Sequence, residues 1–209
     1  MVGLLAMIVL VGMGEHMAER FLPLYLQELT QASTAILAIG LLAAMDDLLS
    51  ALYSFPGGYL SDRLGTKRAL LFFNFLSMLG YLCVIFIPTW WAVLVGAMFF
   101  ISWSAISLPA TMELLSKIVP KNRRTLGVSV LALVRRVPKV LGPIVGGACI
   151  AAWGVEAGVR AAFVLAFVLA LLASILQQVM IADDSKHQKV AEASPIKLWH
   201  EMPVTLRNL

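Results

Sequence analysis

Charge and cysteine are both scarce in this sequence. Of 209 residues, 13% are charged and two are cysteines, Cys83 and Cys149. Both cysteines fall inside apolar runs, which leaves no disulfide framework and no ligand spacing for a metal. No glycine-rich phosphate loop, nucleophile elbow or zinc-binding spacing is present, so an ATP-driven pump or a membrane hydrolase has no support and no cofactor is expected. The first apolar run has neither the charged start nor the small-residue cleavage site of a secretory signal peptide.

What fills the chain instead is apolar surface. Hydrophobic residues make up 60% of it and the mean hydropathy is +0.89, far from the balance of a soluble domain. The expected class is an all-α integral membrane protein with the lipid bilayer as its solvent. A formal net charge of +4 does not point to nucleic acid, because the cations sit in short segments beside apolar runs rather than along one exposed face.

Six spans are expected. The first runs from Val2 to about Gln27 and the second from about Thr34 to Phe55. The third covers about Ala69 to Ile87, stopped by Pro88, and the fourth runs from Thr89, a candidate cap, to about Leu115. The fifth is about Thr125 to Trp153 and the sixth about Val159 to Ile181. With the N-terminus inside, one side collects Arg63, Lys67, Arg68, Lys117, Lys121, Arg123, Arg124, Lys186, Lys189, Lys197 and Arg207, while the other holds Arg160. That asymmetry places both termini in the cytoplasm, at the cell (inner) membrane. Residues 1–182 form the expected bundle. Residues 183–209, with Lys186, His187, Lys189 and Glu192 and an amphipathic stretch from Pro195 to Leu209, read as a cytoplasmic tail or linker.

The sharpest motif lies between the second and third spans. Gly57, Gly58, Tyr59, Leu60, Ser61, Asp62, Arg63, Leu64, Gly65, Thr66, Lys67 and Arg68 read as a polar hairpin, with glycines for close approach and reversal and Asp62 placed to face or cap the next helix. The order Gly58, Leu60, Asp62, Arg63, Gly65, Lys67, Arg68 resembles the loop signature between the second and third helices of major facilitator superfamily transporters. Thr66 departs from it, standing where that family often has a basic residue. The resemblance covers nearly the whole chain. It implies the N-terminal six-helix half of a transporter, working with a second six-helix half that is either a missing C-terminal part or another chain. It also implies that Asp62 and its neighbours latch a cytoplasmic gate.

Charges inside the spans carry the expected chemistry, since each costs about 2.5 to 3.5 kcal/mol at mid-bilayer. The fifth span holds Arg135, Arg136 and Lys139, and at about 100° per residue all three share a face. A helix so loaded must face partners or water rather than lipid. Acids of the right sign and depth occur as Glu15 and Glu19 in the first span, beside His16 and Arg20, and as Asp46 and Asp47 in the second. The expectation is one polar cluster shared by the first, second and fifth spans. In it the cations bind an anionic group or hold the acids ionised, and one of the acids carries a coupling proton. The structural alternative is that these are ion pairs that only fix helix packing. Glu113 reads as structural, and Trp90, Trp91, Trp103 and Trp153 include interface anchors.

Later in the fifth span, Gly142, Pro143, Ile144, Val145, Gly146 and Gly147 resemble the GPxxGG helix-bend element of the family's antiporters, with Arg135 seven residues ahead where relatives often have Arg. Pro138 stands where that pattern has a Gly. Taken with the hairpin, these residues imply a secondary active, proton-coupled transporter of a small solute, with efflux by antiport the first expectation. The alternatives are uptake of an anionic metabolite by symport, and a half-length membrane protein that assembles without transporting.

Overall fold

The computed structural model describes residues 2–101, 103–120 and 124–180, and every regular element in them is an α-helix. In chain order these are α1 (Val2–Glu19), α2 (Leu22–Leu29), α3 (Ala32–Leu64), α4 (Thr66–Phe86), α5 (Trp90–Phe100), α6 (Trp103–Ile118), α7 (Arg124–Trp153) and α8 (Val155–Met180). Four stretches are long and apolar enough to cross a membrane: Ala32–Tyr53, Thr66–Phe86, Trp90–Ser116 and Val155–Val179. The charged helices α1 and α7 complete the six segments expected from hydropathy, with α1 and α2 together forming the first. Lys121 and Arg123 of the expected basic loop, and the tail 183–209, lie outside the described residues.

Local chemistry explains the breaks. The first segment turns at Arg20 and Phe21, and Pro23 sits in the opening turn of α2, where a missing N–H costs nothing. The fourth is interrupted at Ile101, whose backbone is extended (φ −61°, ψ 137°). α4 ends at Ile87, held extended (φ −117°, ψ 91°) as the residue before Pro88.

The expected hairpin is much shorter than its motif. α3 continues through Gly57, Gly58 and Asp62 to Leu64, and α4 resumes at Thr66, so Gly65 alone makes the reversal. Its φ of 84° and ψ of 149° lie where glycine is essentially the only residue without strain. Its N–H donates to Ser61 O at 3.0 Å, closing the end of α3. The N-cap of α4 is therefore Gly65 rather than Asp62, which is exposed on the last turn of α3. Gly57 is a packing residue: a Cβ there would run into the carbonyl oxygen of Ile106 on α6.

α1 packs chiefly on α7 and α8, α3 on α6, and α4 on α5 and α8. Helices adjacent in sequence are thus not always neighbours in space. Two apolar cores result. One gathers around Tyr81, Phe100 and Phe163, whose ring centroids are 5.1 to 5.9 Å apart. The other, toward the α3–α4 turn, includes Met7, Phe73, Trp103 and Leu131.

Candidate functional site

Glu15 lies one turn before the end of α1 and is 2% exposed. A buried carboxylate needs donors, and α6 supplies them. Ser104 Oγ donates to Glu15 Oε2 at 2.7 Å, and the Ser104 backbone N–H donates to Oε1 at 3.3 Å. The same residue meets the fifth span from its other side. Arg135 Nη1 donates to the Ser104 carbonyl at 3.4 Å, and Arg135 Nη2 donates to Thr111 Oγ1 at 2.6 Å. An acid from α1 and a guanidinium from α7 are thereby joined through one serine on α6.

Beside this linkage is a cavity of about 80 Å³ lined by Ile8, Gly12, His16, Trp103, Ser104, Arg135, Pro138 and Lys139. It holds two cationic side chains, one turn apart on α7, facing α1 and the start of α6. Trp103, 2% exposed, forms part of the wall rather than an interface anchor, whereas Trp91 and Trp153 are exposed. Among the described residues, no group of three or more His, Cys, Asp and Glu side chains is placed to hold a metal ion.

The expected single cluster is divided. Arg135 and Lys139 share the cavity wall, but Arg136 is exposed and does not line it. Asp46 lines a different cavity, of about 230 Å³, with Glu19, Arg20, Pro23 and Ile101 among others. Asp47 is exposed on α3. His16 Nδ1 and Glu19 Oε2 lie 3.0 Å apart, a contact within α1. The third partner of Glu15 and Arg135 is the fourth span, not the second. Reasoning from charge overlooked Ser104 and Thr111. A weak signal was there, since Ser104, Ser107 and Thr111 recur at i, i+3 and i+7 along one face of a largely apolar run.

The glycine-proline element of α7 has a packing function here. A Cβ on Gly142 would stand 3.0 Å from Met17 N and 3.2 Å from His16 Cβ, and a Cβ on Gly146 would overlap the Met17 carbonyl oxygen. Gly147 has room, its nearest neighbour being Phe21 Cζ at 3.6 Å, and Pro143 is half-buried within a continuous helix. Pro138, the departure from the antiporter pattern, meets Gly12 of α1, where a Cβ would lie 3.0 Å from Pro138 Cγ. The missing glycine on α7 is thus matched by one on α1.

At the α3–α4 end, Ser61 Oγ donates to Glu113 Oε2 at 3.0 Å, tying the last turn of α3 to α6. Arg63 Nη1 donates to Tyr59 Oη at 3.0 Å. At the opposite end, Arg160 Nη2 donates to Ile85 O at 2.8 Å, a cation on the last carbonyls of α4.

Solved structures share this arrangement. A peptide transporter POT variant in complex with alafosfalin and the same transporter in complex with sulfate each match with TM-score 0.65 at 18% identity, over 84% of this chain and 37% of theirs. An auto-inhibited POT family peptide transporter matches with TM-score 0.63 at 16% identity, over 87% of this chain and 37% of its own. The chain therefore spans somewhat over a third of the length of these structures, and the likeness is one of fold. Comparison with curated protein sequences finds no match. The family model described as Major Facilitator Superfamily matches residues 4–202. With its all-helical bundle and membrane-length apolar helices, this chain is a multi-pass membrane protein that belongs to the major facilitator superfamily.

Proposed function

We propose that this chain is one half of a secondary active, proton-coupled transporter of a small solute, with its termini cytoplasmic in the inner membrane and a second six-helix half closing the path. The observation that carries this reading is the buried Glu15 carboxyl, joined through Ser104 to Arg135 at the wall of a cavity that Lys139 also lines. Ionisable groups inside a membrane are costly and mark ion or substrate pathways by default. The hydroxyl of Ser104 donates to ionised Glu15, and turned about its C–O bond it would accept from the protonated acid, so the same pair suits both charge states. Arg135 is held by two oxygens of α6, so movement of α6 on loss of the Glu15 charge would shift the guanidinium as well. Proton uptake on α1 would in this way be felt at the solute-facing cation on α7. Glu19 and Asp46, at the second cavity with Arg20, would form a separate acidic step on the path. Asp47 and Arg136, both exposed within their helices, would face the second half.

Efflux by antiport is the first direction, supported by the resemblance of the Gly142–Gly147 element to antiporters. One observation favours a second reading: Arg135 and Lys139 on one cavity wall suit an anionic metabolite taken up with protons. The test is proton flux in vesicles reconstituted with the chain and challenged with candidate solutes. Glu15→Gln is expected to abolish solute-dependent proton movement while solute binding persists. Coupling that survives Glu15→Gln would remove Glu15 from the mechanism. Flux lost with Arg135→Gln for anionic solutes alone would select the uptake reading. Absence of solute-dependent proton movement with every solute tried, in folded protein reconstituted together with its second half, would favour an assembly protein that does not transport.

A further inference from the structure

The start of α4 and the end of α8 are locked by a polar knot remote from the cavity. Lys67 Nζ donates to Gln178 O at 3.0 Å, Gln177 Nε2 donates to Lys67 O at 2.7 Å, and Asn74 Nδ2 donates to Gln177 Oε1 at 3.1 Å. Asn74 and Gln177 are fully buried. Immediately beyond this knot the two helices leave a groove of about 440 Å³. Leu71, Phe75 and Met78 line it from α4, and Leu171, Ile175 and Gln178 from α8.

Each set follows the i, i+4, i+7 spacing of one helical stripe, so the groove runs along both helices for about 10 Å, at about 1.5 Å per residue. Its walls are apolar. Even Ser174 within it turns its hydroxyl back onto Ala170 O at 2.9 Å. Phe75 and Ile175 are 59% and 53% exposed, on the two spans of highest mean hydropathy, 2.2 and 2.5. Lys67 stands one turn before Leu71, roughly 6 Å further along the axis. Apolar length followed by a cation at the membrane end is the complement of an amphiphile with an acidic head.

We propose that this groove binds one anionic phospholipid, its acyl chain lying along the α4 and α8 stripes and its phosphate against the Lys67 ammonium. An ammonium has three donors, and the Gln178 carbonyl takes one, which leaves donors for phosphate oxygens. The lipid would cross the seam where α4 and α8 meet and reinforce the knot. The groove shares no lining residue with the cavity between α1, α6 and α7, so the site does not rest on the roles proposed for Glu15 and Arg135.

The test uses the full chain in mild detergent, offered phosphatidylglycerol and phosphatidylcholine of identical acyl chains in equal amounts, with retained lipid counted by native mass spectrometry. The expected result is about a fivefold preference for phosphatidylglycerol, the effect of one cation near an anionic headgroup. Lys67→Gln should erase the preference and Lys67→Arg should keep it. Ser174→Phe, which fills the groove without touching the knot, should lower retention of both lipids. Equal retention of the two lipids by the unaltered chain, or retention of neither, overturns the proposal whatever the variants do. Preference intact in Lys67→Gln removes Lys67 from the site, and unchanged retention in Ser174→Phe removes the groove.

Discussion

Gly146 of α7 rests on the backbone of Met17 in α1 so closely that any Cβ at position 146 would overlap the Met17 carbonyl oxygen. This contact and its neighbour at Gly142 fix the distance between the helix that brings Glu15 and the helix that brings Arg135. Backbone cannot swing aside as a side chain can. Gly146→Ala should therefore cost about 1 to 3 kcal/mol, the usual range for overpacking. Gly147→Ala, whose Cβ would meet Phe21 at an ordinary 3.6 Å, should stay within about 0.5 kcal/mol. Thermal unfolding of the two variants in detergent compares them, and equal effects would refute the packing account of this element.

The hydroxyl of Ser104 is the closest partner of a buried acid. Ser104→Ala leaves Glu15 with the longer backbone contact alone and should destabilise the protein by about 1 to 3 kcal/mol through the stranded acceptor. Thr111→Val keeps the shape and removes an acceptor from Arg135, for a loss of about 1 to 2 kcal/mol. Both reach Glu15 or Arg135 through α6, so the double variant should deviate from additivity by at least about 0.5 kcal/mol. Strict additivity in unfolding experiments would mean that the acid and the guanidinium are not linked.

Gln177 satisfies two groups at once, the Lys67 carbonyl and the Asn74 amide. Gln177→Leu strands a buried amide and is expected to cost about 2 to 3 kcal/mol. Adding Asn74→Leu removes the stranded donor, so the double variant should be no less stable than Gln177→Leu alone, within about 0.5 kcal/mol. A further full-sized loss on adding the second change would show that Asn74 contributes by some means other than this bond.

Asp62 is exposed on the last turn of α3, so its replacement has little to disturb in the fold. Asp62→Asn should alter stability by no more than about 0.5 kcal/mol, while transport in reconstituted vesicles falls several-fold if the segment latches a gate. An unchanged transport rate would end the gate reading, and a large loss of stability would assign Asp62 to folding.

Much of the architecture was legible before any coordinates. Runs of apolar residues and the placement of Pro88 are local properties, and they determined the class and the approximate span limits, while the reversals themselves fall at Gly65 and Gly154, both with positive φ. The load of Arg135, Arg136 and Lys139 set α7 apart from the other helices, and two of the three, Arg135 and Lys139, line one cavity. Helical continuity was harder to read. Gly57 and Gly58 have turn-forming chemistry, yet packing against Ile106 and Pro109 of α6 keeps them helical, because tertiary contact outweighs a propensity cost of about 1 kcal/mol for each glycine, and exposed Asp62 continues the same helix.

Which helices face each other was decided only by the tertiary structure. Charge and depth gave Glu15, Asp46 and Arg135 equal claims to a common cluster, since both quantities are read along one chain axis and carry no azimuth between segments. In the folded bundle α1 and α7 meet across glycine contacts and α6 closes the third side, so Ser104 mediates while Asp46 turns to a separate cavity. The sequence by itself determined that costly charges had to find polar partners within the membrane. Close packing of α1 on α7 at Gly142, Gly146 and Gly12 decided that Glu15 and Arg135 come near one another, because backbones in contact fix the spacing of the side chains they carry, and Ser104 of α6 lies between the two.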